Sequence, residues 1–180
     1  MAKSIQGRKW SKADKSGNYV EEQPKSPTSE PPRGFFAAHV DEKGRLKLPV
    51  DVQTFLGGFG DDKLFVTSMD GRIARIYPIS VWKGNEKVLE ELATEDPDAA
   101  DALAFVANDY GADAKIDPQG RITLPTDLRR ALALENQEVR LDCSQSAINV
   151  YSNAEYEARK RQANDRLADK LKSAKLKGFK

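Results

Sequence analysis

The chain has 180 residues, a formal net charge of +1, 39% hydrophobic and 32% charged residues, which leaves room for one domain with tails. No apolar run approaches the roughly 20 residues that a membrane helix needs. With a single cysteine, Cys143, an intrachain disulfide is excluded, and the start Met-Ala-Lys-Ser-Ile-Gln-Gly-Arg lacks a signal peptide's apolar stretch, so cytoplasmic residence is expected.

Residues 1–34 carry Pro24, Pro27, Pro31 and Pro32 among Ser, Lys and Glu, and read as a disordered basic, proline-rich extension. They hold seven Lys/Arg against four Asp/Glu, and residues 151–180 hold nine against four. The body between them holds thirteen against twenty. An acidic body suits a polyanion poorly unless its cations gather on one face that multivalency can repeat.

A first unit spans residues 35–80. Strands are predicted at 36–40 and 45–48, around the turn Asp41-Glu42-Lys43-Gly44. Aspartate accepts hydrogen bonds from such a turn, and glycine supplies its left-handed residue. Pro49 suits the first position of a short helix, and Leu56-Gly57 its stop. A second hairpin follows, 64–67 and 73–77, around Asp70-Gly71. The paired carboxylates Asp61 and Asp62 beside a glycine-rich turn read as loop solvation.

Residues 81–110 form a helical linker. Val81, Trp82, Val88, Leu89 and Leu92 keep helical spacing, and Asp96-Pro97 starts a second helix, over Ala99–Val106 and ending before Gly111.

The second unit, 111–154, repeats the first. DEKGRLKLPVDVQTFL from Asp41 to Leu56 returns 76 residues later as DPQGRITLPTDLRRAL from Asp117 to Leu132, with seven identities. Strands 112–116 and 121–124, a helix after Pro125, and the hairpin 138–142 with 147–151 around Cys143–Ser146 complete the copy. Tyr77 with Trp82 is matched by Tyr151 with Tyr156. One such unit is close to the about 40 residues below which a lone domain struggles to bury a core. Two copies sharing one core are therefore expected: an α+β, mainly β, fold forming one pseudo-twofold barrel. A basic helical tail, 155–180, ends the chain, helical from 155 to 177 with Leu167, Leu171 and Ala174 on one face.

The motif D-x-K-G-R-x-x-x-P, here Asp41 to Pro49, resembles the signature of the AbrB/SpoVT swapped-hairpin DNA-binding fold. Two fused copies with Asp70-Gly71, Tyr77-Pro78 and Trp82 between them resemble the MraZ family of bacterial transcriptional regulators. The likeness covers about residues 33 to 157; it departs where Tyr156 replaces a tryptophan and Gln119 a lysine, which suggests that the two turns do unequal work. The resemblance implies a sequence-specific, nucleoid-associated DNA-binding regulator, a repressor, of the division and cell-wall gene cluster. It further implies a homo-oligomeric ring whose partner is double-stranded operator DNA with short repeats at helical-turn spacing. The alternatives are an AbrB-like antitoxin or protein-interaction module, and a scaffold ring without a DNA role.

The candidate contacts are Arg45, Lys43, Arg121 and Lys47. A guanidinium can grip a phosphate or read guanine's two acceptors bidentately. The family's functional arginine sits at the motif position of Arg45, although a salt bridge from Arg45 to Asp41 or Asp51 would serve structure alone. Lys43 projects from the turn and suits a phosphate. Arg129 and Arg130 are weaker candidates, better explained as solvated. His39, the one histidine, is expected to be packed and hydrogen-bonded. No second histidine, zinc-type cysteine pair, phosphate-binding glycine loop or nucleophile elbow is present. No enzyme activity, cofactor, metal or membrane partner is expected.

Overall fold

A computed structural model describes residues 30–144 and 146–180; the expected extension lies mostly outside the described residues. The first repeat supplies β1 (Phe35–Val40), β2 (Arg45–Lys47), α1 (Val50–Gly57), β3 (Leu64–Thr67) and β4 (Ala74–Pro78). Two linker helices follow, α2 (Ile79–Glu95) and α3 (Pro97–Asp109). The second repeat supplies β5 (Ala112–Ala114), β6 (Arg121–Thr123), α4 (Thr126–Ala131), β7 (Gln137–Cys143) and β8 (Ile148–Ser152), and the tail α5 (Asn153–Asn164) and α6 (Leu167–Leu176).

Each turn forms as its residues require. Gly44 and Gly120 take φ of 76° and 72°, a region that β-carbon-bearing residues avoid. Their N–H groups donate to the Asp41 and Asp117 carbonyls at 2.9 and 2.8 Å. The strands leaving these turns do not simply zip together. β1 instead pairs along its whole length with β7, from Phe35↔Asp142 to Val40↔Gln137, and β5 pairs with β3. Across the middle, β2 pairs with β6 and β4 with β8. The sheet is antiparallel throughout, in the order β5-β3-β4-β8-β7-β1-β2-β6. Its two ends are consecutive in the chain, joined by the 117–120 turn, so the barrel is nearly closed.

The registers carry the twofold. In the β2–β6 pair, Arg45↔Thr123 becomes Lys47↔Arg121 when the repeats are exchanged, and Leu46↔Ile122 maps onto itself. Arg75↔Asn149 plays the same self-equivalent part between β4 and β8. The axis therefore passes through both pairs. One buried cluster contains Val40, Leu46, Val66, Ile122, Leu124 and Val150, so both repeats line a single core. Fully burying each such aliphatic side chain contributes about 1.5–3 kcal/mol relative to exposure.

Several local expectations shift. Pro49 and Pro125 stand just before their helices as extended caps, with ψ of 150° and 141°; their carbonyls accept the first helical bonds, from Gln53 and Arg129. Pro97 does open a helix, where Asp96 accepts from the Ala99 N–H at 3.0 Å. Gly84 lies inside α2 without ending it. β5 is shorter than expected, stopping at Ala114. The tail is two helices, not one: Arg166, at φ 51°, is left-handed and breaks the ladder after Asn164. No proline or glycine marks that break. No helix of the described residues is long and apolar enough to cross a membrane.

Candidate nucleic-acid interface

Strands β2 and β6 alternate half-buried, buried, exposed, with Leu46 and Ile122 facing the core. Residues directly opposite in an antiparallel pair share a face. Arg45, Lys47, Arg121 and Thr123 therefore point outward together from one two-stranded ribbon. The turns 41–44 and 117–120 form its two ends.

Each arginine is held by the aspartate four residues earlier. Asp41 accepts from the Lys43 and Arg45 backbone N–H groups at 2.9 Å through Oδ1, and from Arg45 Nε at 2.7 Å through Oδ2. Asp117 repeats this with Gln119 and Arg121, also at 2.9 Å. The backbone N–H of Arg45, before any other cause, holds the Asp41 carboxyl below its ordinary value, and that of Arg121 does the same for Asp117. Of the two pairings open to Arg45, the structure shows Asp41 rather than Asp51. The side chain nonetheless stays 34% exposed. One of its five guanidinium donors is used by Asp41, and the others keep a fixed orientation for an incoming acceptor.

Lys43 is exposed at the tip of its turn. Gln119 holds the equivalent tip, but Lys47 reaches across from β2 and its Nζ donates to the Gln119 carbonyl. The second turn thus receives a cation from the first repeat. Beneath each turn lies a side chain from the other repeat. A β-carbon on Gly44 would meet the Arg129 side chain at 2.7 Å, and one on Gly120 would meet Gln53 at 2.4 Å. Arg129 donates to the Leu124 carbonyl at 3.0 Å and to Glu135 at 2.8 Å; Gln53 donates to the equivalent Leu48 carbonyl at 2.7 Å.

Arg129, only 14% exposed, is therefore a seat for the opposite turn rather than a solvated side chain. Gln53 was not among the expected residues. Its signal was present, since Gln53 and Arg129 occupy the same repeat position. Arg130 is exposed, 3.7 Å from Glu135. His39 is exposed on β1 opposite Glu138, on the face turned away from the core, and is not packed. Cys143 is half-buried, and burial raises its thiol to about 11, so it is protonated near neutrality and unsuited to nucleophilic work.

A family model described as "MraZ protein, putative antitoxin-like" matches residues 111–177. Among curated proteins, the Transcriptional regulator MraZ of Acidobacterium capsulatum is 39% identical over 99 residues, covering 55% of this chain and 67% of that protein. The one from Koribacter versatilis is 36% identical over 106 residues, 58% of this chain and 71% of its own length. That of a Marinomonas strain is 30% identical over 129 residues, 71% and 84% respectively.

Proposed function

This chain belongs to the MraZ family and is a DNA-binding transcriptional regulator, and we propose that its β2–β6 ribbon is the surface that meets the duplex. The observation that supports this reading is the outward row of Arg45, Lys47 and Arg121 on a two-stranded ribbon. The major groove, about 12 Å wide, admits such a ribbon. Arg45, oriented by Asp41, reads a base edge or clamps a phosphate; Arg121 does so at the other end. Lys43 and Lys47 add phosphate contacts, which set affinity more than sequence choice.

The regulator acts as a repressor at an operator of short repeats, within the division and cell-wall gene cluster. It works as a homo-oligomeric ring, so that several ribbons engage one duplex and the acidic body is offset by repetition. Its place is the cytoplasm, on the nucleoid, and it performs no catalysis. An antitoxin or scaffold role has less support, since the curated relatives are named as transcriptional regulators.

A gel-shift titration with the DNA upstream of the chain's own gene tests the reading. Arg45→Ala is expected to weaken specific binding tenfold or more, on the order of 1–3 kcal/mol for a bidentate contact, while circular dichroism stays unchanged. Wild-type affinity in that variant would remove Arg45 from the interface.

A further inference from the structure

The twofold is broken on the barrel's outer face. In the first repeat Phe65 stacks on Trp82 at 4.2 Å, with Tyr77 5.3 Å from the same indole. Helix α3 closes over them. Ala107 is buried in the same cluster, and the Thr67 hydroxyl donates to the Ala107 carbonyl at 2.7 Å. At Gly111 the approach is so close that a β-carbon would meet that carbonyl at 2.3 Å and the Phe65 ring at 2.5 Å.

The registers place Arg140 where Phe65 stands and Phe35 where Gly111 stands. In the second repeat the Arg140 guanidinium lies 5.7 Å from the Tyr156 ring and that of Arg159 lies 6.0 Å from Tyr151. Phe35 meets Tyr156 edge-on at 5.0 Å, yet is 49% exposed. Helix α6 follows α5 as α3 follows α2, but it buries no residue. Among the described residues, the aromatic–arginine face therefore has no equivalent of α3 over it. Such a composition is what the centre of a protein interface favours.

The same chain carries a surface of opposite character. Residues 79–109, the α2–α3 hairpin, hold two lysines against eight acidic residues, while residues 153–180 hold nine Lys/Arg against four acids. On that acidic hairpin Phe105 and Val88 are 69% and 61% exposed. We propose that the α2–α3 hairpin of one copy covers the Phe35–Tyr156 face of a second copy, supplying in trans what α3 supplies in cis to the first repeat. The two surfaces differ, so the contact is head-to-tail and each copy keeps one of each free for the next. The inference rests on the homo-oligomeric reading above and names its faces.

Sedimentation of the full chain tests it. Phe35→Glu and Phe105→Glu alter exposed side chains, and each variant alone is expected to run as a monomer with the wild-type circular dichroism. Mixed in equal amounts they are expected to give a dimer and nothing larger, because each retains one intact partner face. Arg159→Glu, on an exposed part of α5, provides a second variant and is expected to weaken assembly at least tenfold, losing that effect at high salt. An oligomeric wild type whose mass all three substitutions leave unchanged would overturn these faces while sparing the oligomer. A mixture that stays monomeric would overturn the head-to-tail geometry. A monomeric wild type would overturn the homo-oligomer itself.

Discussion

The first and second copies of the sixteen-residue repeat agree in everything that shapes the turn and disagree in what the turn presents. Asp41 and Asp117 bind the same backbone groups at the same 2.9 Å distances, and Gly44 and Gly120 take nearly the same φ. The outward chemistry has diverged: Lys43 against Gln119, Lys47 against Thr123, Arg129 against Gln53 in the seats. Backbone geometry fixes its residues twice, whereas surface contacts tolerate different solutions at the two ends. The lesson is that the ribbon is symmetric as a scaffold and polar as a surface.

The scaffold half of that comparison faces its largest test at the axis. Leu46→Ala and Ile122→Ala each delete a buried side chain at self-equivalent positions, and each is expected to cost about 2–5 kcal/mol in urea unfolding. Clearly unequal costs would break the twofold. Gly44→Ala and Gly120→Ala force a β-carbon into the left-handed region, at about 1–2 kcal/mol each. The crowding partners are side chains of Arg129 and Gln53, which can yield, so the two losses are expected to match. A much larger loss at Gly44 would mean that the Arg129 seat, pinned by Glu135, gives less than the Gln53 seat.

The surface half is sharpened by exchanging the tips. Lys43→Gln is expected to reduce the slope of log affinity against log salt by about one, and Gln119→Lys to raise it by about one. Equal slopes in both variants and wild type would show that neither tip touches phosphate. Smallest is the effect of acid. Both carboxyls sit below their ordinary value of 3.8 in the folded chain, so what they contribute is fully present above that pH. It is lost only as pH falls through the lowered folded values. Carbon-detected titration of the two aspartates is expected to find both midpoints under 3.8; an ordinary midpoint for either would mean that its turn is open in solution.

Much of this was legible in the chain because the repeat is local. Aspartate, glycine and the alternation around Leu46 and Ile122 each act within a few residues, and turn, strand and ribbon face follow from them. Partnering was not. Nothing in the periodicity of Phe35–Val40 says that, besides meeting β2 at Val40, it pairs along its whole length with β7, since that pairing depends on distant segments meeting. The seats escaped for the same reason, as Gln53 and Arg129 act on the other repeat's turn. His39 is exposed where packing was expected because alternation alone does not say which face of β1 turns to the core. The tail's break at Arg166 has no breaker residue to announce it.

The pairing of β1 with β7 also constrains how the chain is made. During synthesis β1 leaves the ribosome beside β2, but β7, which pairs with its whole length on the other edge, emerges only when most of the second repeat has been translated. The nascent first half therefore has no finished state to occupy, and folding awaits contacts of long sequence separation, which are slow to form. A ribosome stalled before residue 137 would hold β1 without the strand that pairs with its whole length.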